Sequence, residues 1–410
     1  MRKHQVIVVG GGVGGSSAAF HCKKLGLDVL MVEKDQFPRD KPCGDGIIPS
    51  VYPILKEMGV YDFVKENAWH CKYTRFIADN GEYIRNSNVE TTGEPMYCMR
   101  RYIFDNAVNQ AAQKSGIEYL DNFEVLEVIM ERGQAKGVRG IYNGKVTELY
   151  SDLVILAAGS HCMAARKLGF YDENPDNVYY GLRGYFDDIE DFEDVEFYYP
   201  ENFLPSGYIW FFPTGPKSAN VGVFISERSL QASGRTSEEL LWDWVENTEA
   251  GKKRLGNAKL VGKLKGWRLP CGMKKPIIAG GVMAVGDSGN MIEQFGGGGI
   301  PQAMVAGSIA AKTALKAVTE NDFSMSMMEN YAKDIQEALG GTYQGNDFLQ
   351  KICFTTVENM LNMIHFCQER EGATMLDYMM EVVKQMNPES ADFKMINGGG
   401  DLQIESHGVY

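Results

Sequence analysis

The chain opens on a short apolar run, residues 5–9, that stops at Gly10-Gly11-Gly12-Val13-Gly14-Gly15. Small residues at helical spacing follow over 16–25, and a second apolar run, 28–32, ends on Glu33. This pattern predicts one strand–turn–helix–strand unit. Two Asn-Gly pairs predict hairpins: Asn80-Gly81 between runs 73–78 and 82–85, and Asn143-Gly144 between runs 136–142 and 145–150. A separate apolar strand over 152–157 then returns to the first sheet and ends at Ala158-Gly159. Residues 178–226 are strand-rich and aromatic and predict a second sheet. Its acidic stretch, from Asp187 to Glu196, predicts a solvated edge strand protected by charge. Past Gly299 the spacing turns helical, with helices expected over 301–316, 325–339 and 346–366, and a loose tail from about 396.

Gly10, Gly12 and Gly15 occupy the glycine positions of G-x-G-x-x-G. The first allows a tight turn, the second lets backbone approach a pyrophosphate, and the third lets helix and strand pack closely. Phosphates would then sit at a helix N-terminus, where unpaired N–H groups and the helix dipole favour anions. Glu33, at the end of the second strand, is placed to accept hydrogen bonds from ribose hydroxyls. A strand before, a helix after and an acid at this offset lift a common glycine motif to a dinucleotide site.

Charge and cysteine usage remove other function classes. A net charge of −13 repels nucleic-acid phosphates and anionic lipid, so no nucleic-acid partner is expected. The eight cysteines are scattered, without a Cys-x-x-Cys pair, which predicts reduced thiols and neither a disulfide framework nor a metal site. The N-terminus carries no signal-like apolar region and no run reaches the length of a membrane span. A cytoplasmic protein is expected, with peripheral membrane contact left open.

Further motifs carry a resemblance. Arg101 opens a helix, Gly286-Asp287-Ser288 closes an apolar strand, and Gly296-Gly297-Gly298-Gly299-Ile300 runs into a long helix. With the N-terminal unit, these resemble FAD-dependent oxidoreductases of the p-hydroxybenzoate hydroxylase type. Pro38-Arg39-Asp40-Lys41-Pro42-Cys43-Gly44-Asp45-Gly46 and Tyr208-Ile209-Trp210-Phe211-Phe212-Pro213 are similar to two motifs of the geranylgeranyl and menaquinone reductase family within that group. The resemblance covers about residues 5–315 and implies an α/β fold. A glutathione-reductase-like Rossmann domain (1–70, 95–170, 270–320) would bind FAD. An inserted antiparallel sheet (71–94, 171–269) would face the substrate; the C-terminal helices (321–395) and a tail (396–410), read from the spacing alone, lie beyond the resemblance. It implies FAD contacts at Gly10, Gly12, Gly15, Glu33, Cys43, Gly44, Arg101, Val125, Gly159, Asp287, Gly297, Gly298, Gly299 and Ile300. Asp287 would hold the ribityl chain, and the 297–300 amides would face the N1–C2=O edge of the flavin. Ala158 stands where the family's Asp-Gly motif has an acid.

The same resemblance implies hydride transfer to a C=C bond of an isoprenoid lipid or quinone, with Cys43, Tyr208 and Trp210 at the substrate face. Tyr208 and Trp210 lie two apart on a strand and share a face, which suits a dry aromatic wall. For Cys43 an inert thiol is the competing reading, against one activated by Arg39, Lys41 or nearby amides. Met325, Met327, Met328, Met360 and Met363 read as core filler or as lining for a prenyl tunnel. The apolar helix with Phe348, Leu349, Ile352, Phe354, Val357, Leu361 and Ile364 would cap that tunnel, form a dimer or touch a membrane. The rival functions are an oxygen-using hydroxylase, a halogenase, or a flavin-binding carrier. Only one G-x-G-x-x-G unit is present, so electrons must come from an external donor: NAD(P)H, reduced flavin or a ferredoxin-like protein.

Overall fold

The computed structural model describes residues 3–190, 193–200, 202–204, 206–353, 356–370 and 372–386. The opening apolar run forms the strand Lys3–Val9, in which Val6 to Val9 are all buried. Its run is continuous rather than alternating because both faces of a parallel sheet are covered. It pairs in parallel with Val29–Val32 on one side and Lys145–Leu156 on the other. Glu118–Leu120, Val282–Ala284 and Ile278–Ala279 extend that sheet outward. The helices Val13–Lys24 and Ile300–Glu320 cross at glycines. A Cβ at Gly307 would stand 2.6 Å from the Gly14 carbonyl oxygen.

The second Asn-Gly hairpin and the returning strand are one element. Lys145–Leu156 runs unbroken, pairing first with the hairpin partner Gln134–Tyr142 and then with Lys3–Val9. The expected split between 150 and 152 reflected a change from alternating to continuous apolarity. That change marks the passage from a two-stranded ribbon into the buried sheet, not a turn.

The second sheet has seven strands in the order Lys259–Pro270, Val178–Asp187, Ser218–Ser226, Gly207–Gly215, Val195–Tyr199, Tyr73–Ala78 and Tyr83–Ser87. All its pairs are antiparallel except Val195–Tyr199 with Tyr73–Ala78, which brings the first Asn-Gly hairpin alongside in parallel. The acidic stretch is therefore not a solvated edge at its far end. Val195–Tyr199 lies inside the sheet, and Asp194 and Glu196 are only 3% and 1% exposed. Arg85 and Arg75 hold Asp194, and Arg254 holds Glu196 at 2.6 Å, because a buried carboxylate without such partners is costly. Asp188, Glu190 and Glu193 are exposed as expected, and Asp191 lies outside the described residues.

The two faces of this sheet differ. Ile209 and Phe211 pack with Val221, Val223 and, from the helix Ser237–Asn247, Leu241 and Trp244. Tyr208, Trp210 and Phe212 point the other way, into a cluster with Tyr179, Phe224, Cys71 and Cys98.

The C-terminal helices differ in their breaks. Met325–Cys353 is one helix that passes through Gly340-Gly341, and a new helix, Val357–Glu369, starts where the Thr356 hydroxyl accepts from the Asn359 amide. Met327 and Met328 are core of the first sheet, beside Tyr331 and Ile335, and Met325 is exposed, so none of these three lines a tunnel. Met360, Met363 and Ile364 pack instead on Phe76, Ala78 and Ile84 of the Asn80-Gly81 hairpin. The 396–410 tail, Phe354, and the side chains of Phe348, Leu349 and Ile352 lie outside what is described. Among the described residues no helix is long and apolar enough to cross a membrane.

Candidate functional site

A cleft of about 480 Å³ opens at the carboxyl ends of the parallel strands, lined there by Val9, Val32, Ala157 and Val285. Open α/β sheets bind ligands at this end. Three glycines at its head are required for three different reasons. Gly10 has φ 103°, and a Cβ on it would stand 2.4 Å from the Ala157 carbonyl oxygen. A Cβ on Gly15 would stand 1.9 Å from the Gly10 carbonyl oxygen, so it is fixed by helix–strand packing. Gly12 has ordinary φ, and a Cβ there would meet only the Arg39 guanidinium, at 3.1 Å. Nothing in the protein forbids a side chain at Gly12, yet its backbone opens the helix Val13–Lys24, whose first turn carries no acid. A phosphate group fits this cradle.

Glu33 lines the same cleft and accepts from the Gly11 amide at 2.6 Å and the Asp35 amide at 3.0 Å. Arg101, Val125, Gly159 and Asp287 line it as well. Gly159 and Asp287 converge, since a Cβ at Gly159 would lie 4.0 Å from Asp287 Oδ2. The cleft also holds Arg39 and Lys41, which sequence motifs single out only as thiol activators. They are engaged elsewhere: Arg39 with Asp105 at 2.7 Å and Lys41 with Asp287 at 2.9 Å. The cation beside the Cys43 side chain is instead Arg101, which also binds Asp105 at 2.9 Å.

Cys43, Gly44, Tyr208 and Trp210 stand outside the cleft wall, in a second group. A Cβ at Gly44 would lie 3.1 Å from the Phe212 ring, so the Cys-Gly-Asp-Gly loop lies flat on the aromatic face. Asn220 fastens the two together. Its amide donates to the Cys43 carbonyl at 2.6 Å and to Asp45 at 2.8 Å, and its oxygen accepts from Trp210 Nε1 at 2.9 Å. Asn220 does not stand out in the sequence, and Asp45 enters only as a member of the Cys-Gly-Asp-Gly motif, because their partners are remote along the chain.

Asp45 is fully buried, and burial pushes its carboxyl up to about 6 despite the hydrogen bonds from Asn220 and Tyr185. A carboxyl raised by folding favours the folded state in its protonated form. That advantage is complete below about pH 4, the ordinary carboxylate range, and is lost as pH rises through about 6. Asp45→Asn removes this dependence, and Asn tolerates the positive φ of 71° found there. The stability of the variant relative to the natural chain should improve by up to about 3 kcal/mol between pH 4 and pH 7, read by denaturant unfolding. A gap that stays flat with pH would contradict it.

Gly297, Gly298, Gly299 and Ile300 lie between the two groups. A Cβ at Gly299 would stand 3.7 Å from Asp287 Oδ1, and the Tyr208 hydroxyl donates to the Gly296 carbonyl at 2.6 Å. The turn thus joins the inner end of the cleft to the aromatic face.

A family profile for an FAD binding domain matches residues 3–335. Digeranylgeranylglycerophospholipid reductase 2 of Methanococcoides burtonii is 32% identical over 366 residues, covering 86% of this chain and 85% of its own. The Methanothrix thermoacetophila digeranylgeranylglycerophospholipid reductase is 30% identical, with 94% and 96% covered. The chain belongs to the geranylgeranyl reductase family of FAD-dependent oxidoreductases. A geranylgeranyl bacteriochlorophyll reductase-like structure from Thermoplasma acidophilum superposes on this family member with TM-score 0.81 and 25% identity, covering 95% and 98% of the two chains. A flavin-dependent brominase superposes with TM-score 0.77 at 18% identity, which shows a shared fold. The cofactor of this geranylgeranyl reductase family member is FAD, and the cleft has chemistry that suits it, with an acid-free helix start at Gly12 for phosphates and the Glu33 and Asp287 carboxylates for hydroxyl groups.

Proposed function

We propose that this reductase saturates C=C bonds in the isoprenoid chains of a lipid or quinone. The observation that carries the reading is the aromatic face of Tyr208, Trp210 and Phe212, tied to the 296–300 turn through the Tyr208 hydroxyl. The names of the relatives point to the same substrate class.

Bound FAD supplies the hydride, from N5. The protein's part is to hold, orient and dry the site. Gly12 and the start of its helix would hold the pyrophosphate, and Asp287 would hold the ribityl chain. Tyr208, Trp210 and Phe212 exclude water from an unactivated double bond, which offers no polar handle. The Tyr208 hydroxyl keeps its proton, since burial raises it well above the ordinary phenol value, and orients the turn. Cys43, whose side chain lies beside Arg101, is the candidate for proton delivery to the second carbon. Electrons come from an external donor: NAD(P)H, a reduced flavin or a ferredoxin-like protein. The enzyme is cytoplasmic and meets its lipid by peripheral contact.

Photoreduced holoprotein mixed with a digeranylgeranyl lipid under strict anaerobiosis tests the reading. Return of the oxidised-flavin absorbance on mixing is the expected result. No return under anaerobiosis, with an oxygen atom appearing in the lipid once air is admitted, favours the monooxygenase alternative.

A further inference from the structure

Glu293 lies between the Gly286-Asp287 motif and the glycine turn, and neither motif assigns it a role. It is 7% exposed and, among the described residues, pairs with no Lys or Arg. Its carboxylate is held almost entirely by the turn it precedes. Oε1 accepts from the Gly296 amide at 2.8 Å and the Gly298 amide at 2.9 Å. Oε2 accepts from the Phe295 amide at 2.7 Å and from Asn346 Nδ2, on the helix Met325–Cys353, at 3.0 Å. In return the Glu293 amide donates to the Gly298 carbonyl at 2.9 Å. The N–H groups of Gly296 and Gly298 are therefore turned inward to a carboxylate. Among the described residues no hydrogen bond is found from the N–H groups of Gly297, Gly299 and Ile300, and Gly299 abuts Asp287.

We propose that Glu293 is a positioning residue that makes the bound flavin a stronger reductant. This deepens the reductase reading and rests on it for the placement of the flavin's reactive end at this turn. A helix start with all its amides free would favour negative charge on reduced flavin and so stabilise the reduced form. Here two amides of the turn just before the helix, Gly296 and Gly298, are already committed to the Glu293 carboxylate. Burial raises its pKa, and the hydrogen bonds from Gly298, Gly296, Phe295 and Asn346 pull it back toward the charged form. At an effective dielectric constant of about 20, a unit charge within about 10 Å of another shifts an equilibrium by about tenfold or more. The sign is fixed: the carboxylate opposes added negative charge, lowers the reduction potential and favours giving the hydride away. An unactivated alkene is a poor hydride acceptor and needs such a donor. The titratable groups facing Glu293 are Tyr208, Cys271 and Tyr343, all raised by burial and neutral at pH 7, and Lys41 pairs with Asp287 at the neighbouring motif.

The test is the midpoint potential of FAD in the holoprotein, measured by spectroelectrochemistry without any lipid. Glu293→Gln keeps an acceptor for the Gly296 and Gly298 amides but removes the charge. The reduction equilibrium should move about tenfold toward reduced flavin, about 30 mV for the two-electron couple. Glu293→Asp, which keeps the charge, should stay near the natural value. Equal potentials in the Gln variant and the natural protein would overturn the proposal. Should the Gln variant fail to hold FAD, the natural holoprotein decides. Its reduced flavin should lose its N1 proton at a pH no lower than free reduced FAD does, and a lower value would overturn the proposal. A potential that moves as expected in a protein that reduces no lipid would leave the role of Glu293 standing and remove the substrate reading.

Discussion

Gly12→Val is expected to give a folded protein that purifies colourless. The fold tolerates the change because a Cβ at Gly12 meets no backbone and no core side chain, only the Arg39 guanidinium at 3.1 Å. FAD does not tolerate it, because a branched side chain occupies the space in which the pyrophosphate meets the helix N-terminus. Charge-assisted hydrogen bonds of this kind are worth about 1.5–3 kcal/mol each. Losing one or two weakens FAD binding by about tenfold to about twenty-thousandfold. Circular dichroism should match the natural protein while bound flavin falls below detection after gel filtration. Retention of a flavin band that bleaches and reoxidises would contradict the site.

Trp210→Ala is expected to cost both stability and turnover while leaving FAD bound. The indole is 6% exposed within a packed cluster, so its removal leaves a cavity costing about 3–5 kcal/mol. Its Nε1 also donates to Asn220, the residue that holds the Cys43 carbonyl and Asp45. Truncation therefore loosens the Cys43 loop as well as the aromatic face. Trp210→Phe separates the effects: it keeps most of the volume and loses the hydrogen bond. Melting temperature should fall in both variants, more in Ala. Turnover per folded, flavin-loaded molecule should fall in both, through kcat or KM. A low melting temperature with full activity per folded molecule would make Trp210 plain core and remove it from the substrate face.

The parts of this protein legible in its sequence are those whose physical requirement sits in the residue itself. The glycine turn at 10–15 and the two Asn-Gly hairpins need backbone conformations that few residues adopt, and both hairpins form where expected. The alternation of Tyr208, Trp210 and Phe212 against Phe211 follows from strand geometry and is found on the two faces of the sheet. What a single sequence conceals are pairings set by topology. Asp194 and Glu196 read as a solvated edge until Arg75, Arg85 and Arg254 are brought to them from other elements. Asn220 is an unremarked strand residue until it meets the Cys43 loop. Glu293 belongs to no motif in the sequence, yet it holds the turn beside the cleft with help from Asn346 on a distant helix. Met327 and Met328 fill core because the helix that carries them docks on the first sheet, which its own periodicity does not reveal.

The central claim is that this enzyme reduces isoprenoid double bonds with FAD and without oxygen. It is tested most directly by the mass of the lipid product. Holoprotein with a chemical reductant and digeranylgeranylglycerophospholipid, incubated anaerobically, should yield lipid heavier by one pair of hydrogens for each bond reduced. Deuterium at flavin N5, introduced through the reductant or the solvent, should appear in the chain. Lipid unchanged without oxygen, and gaining an oxygen atom once air is admitted, would contradict the reductase assignment and establish a monooxygenase in its place.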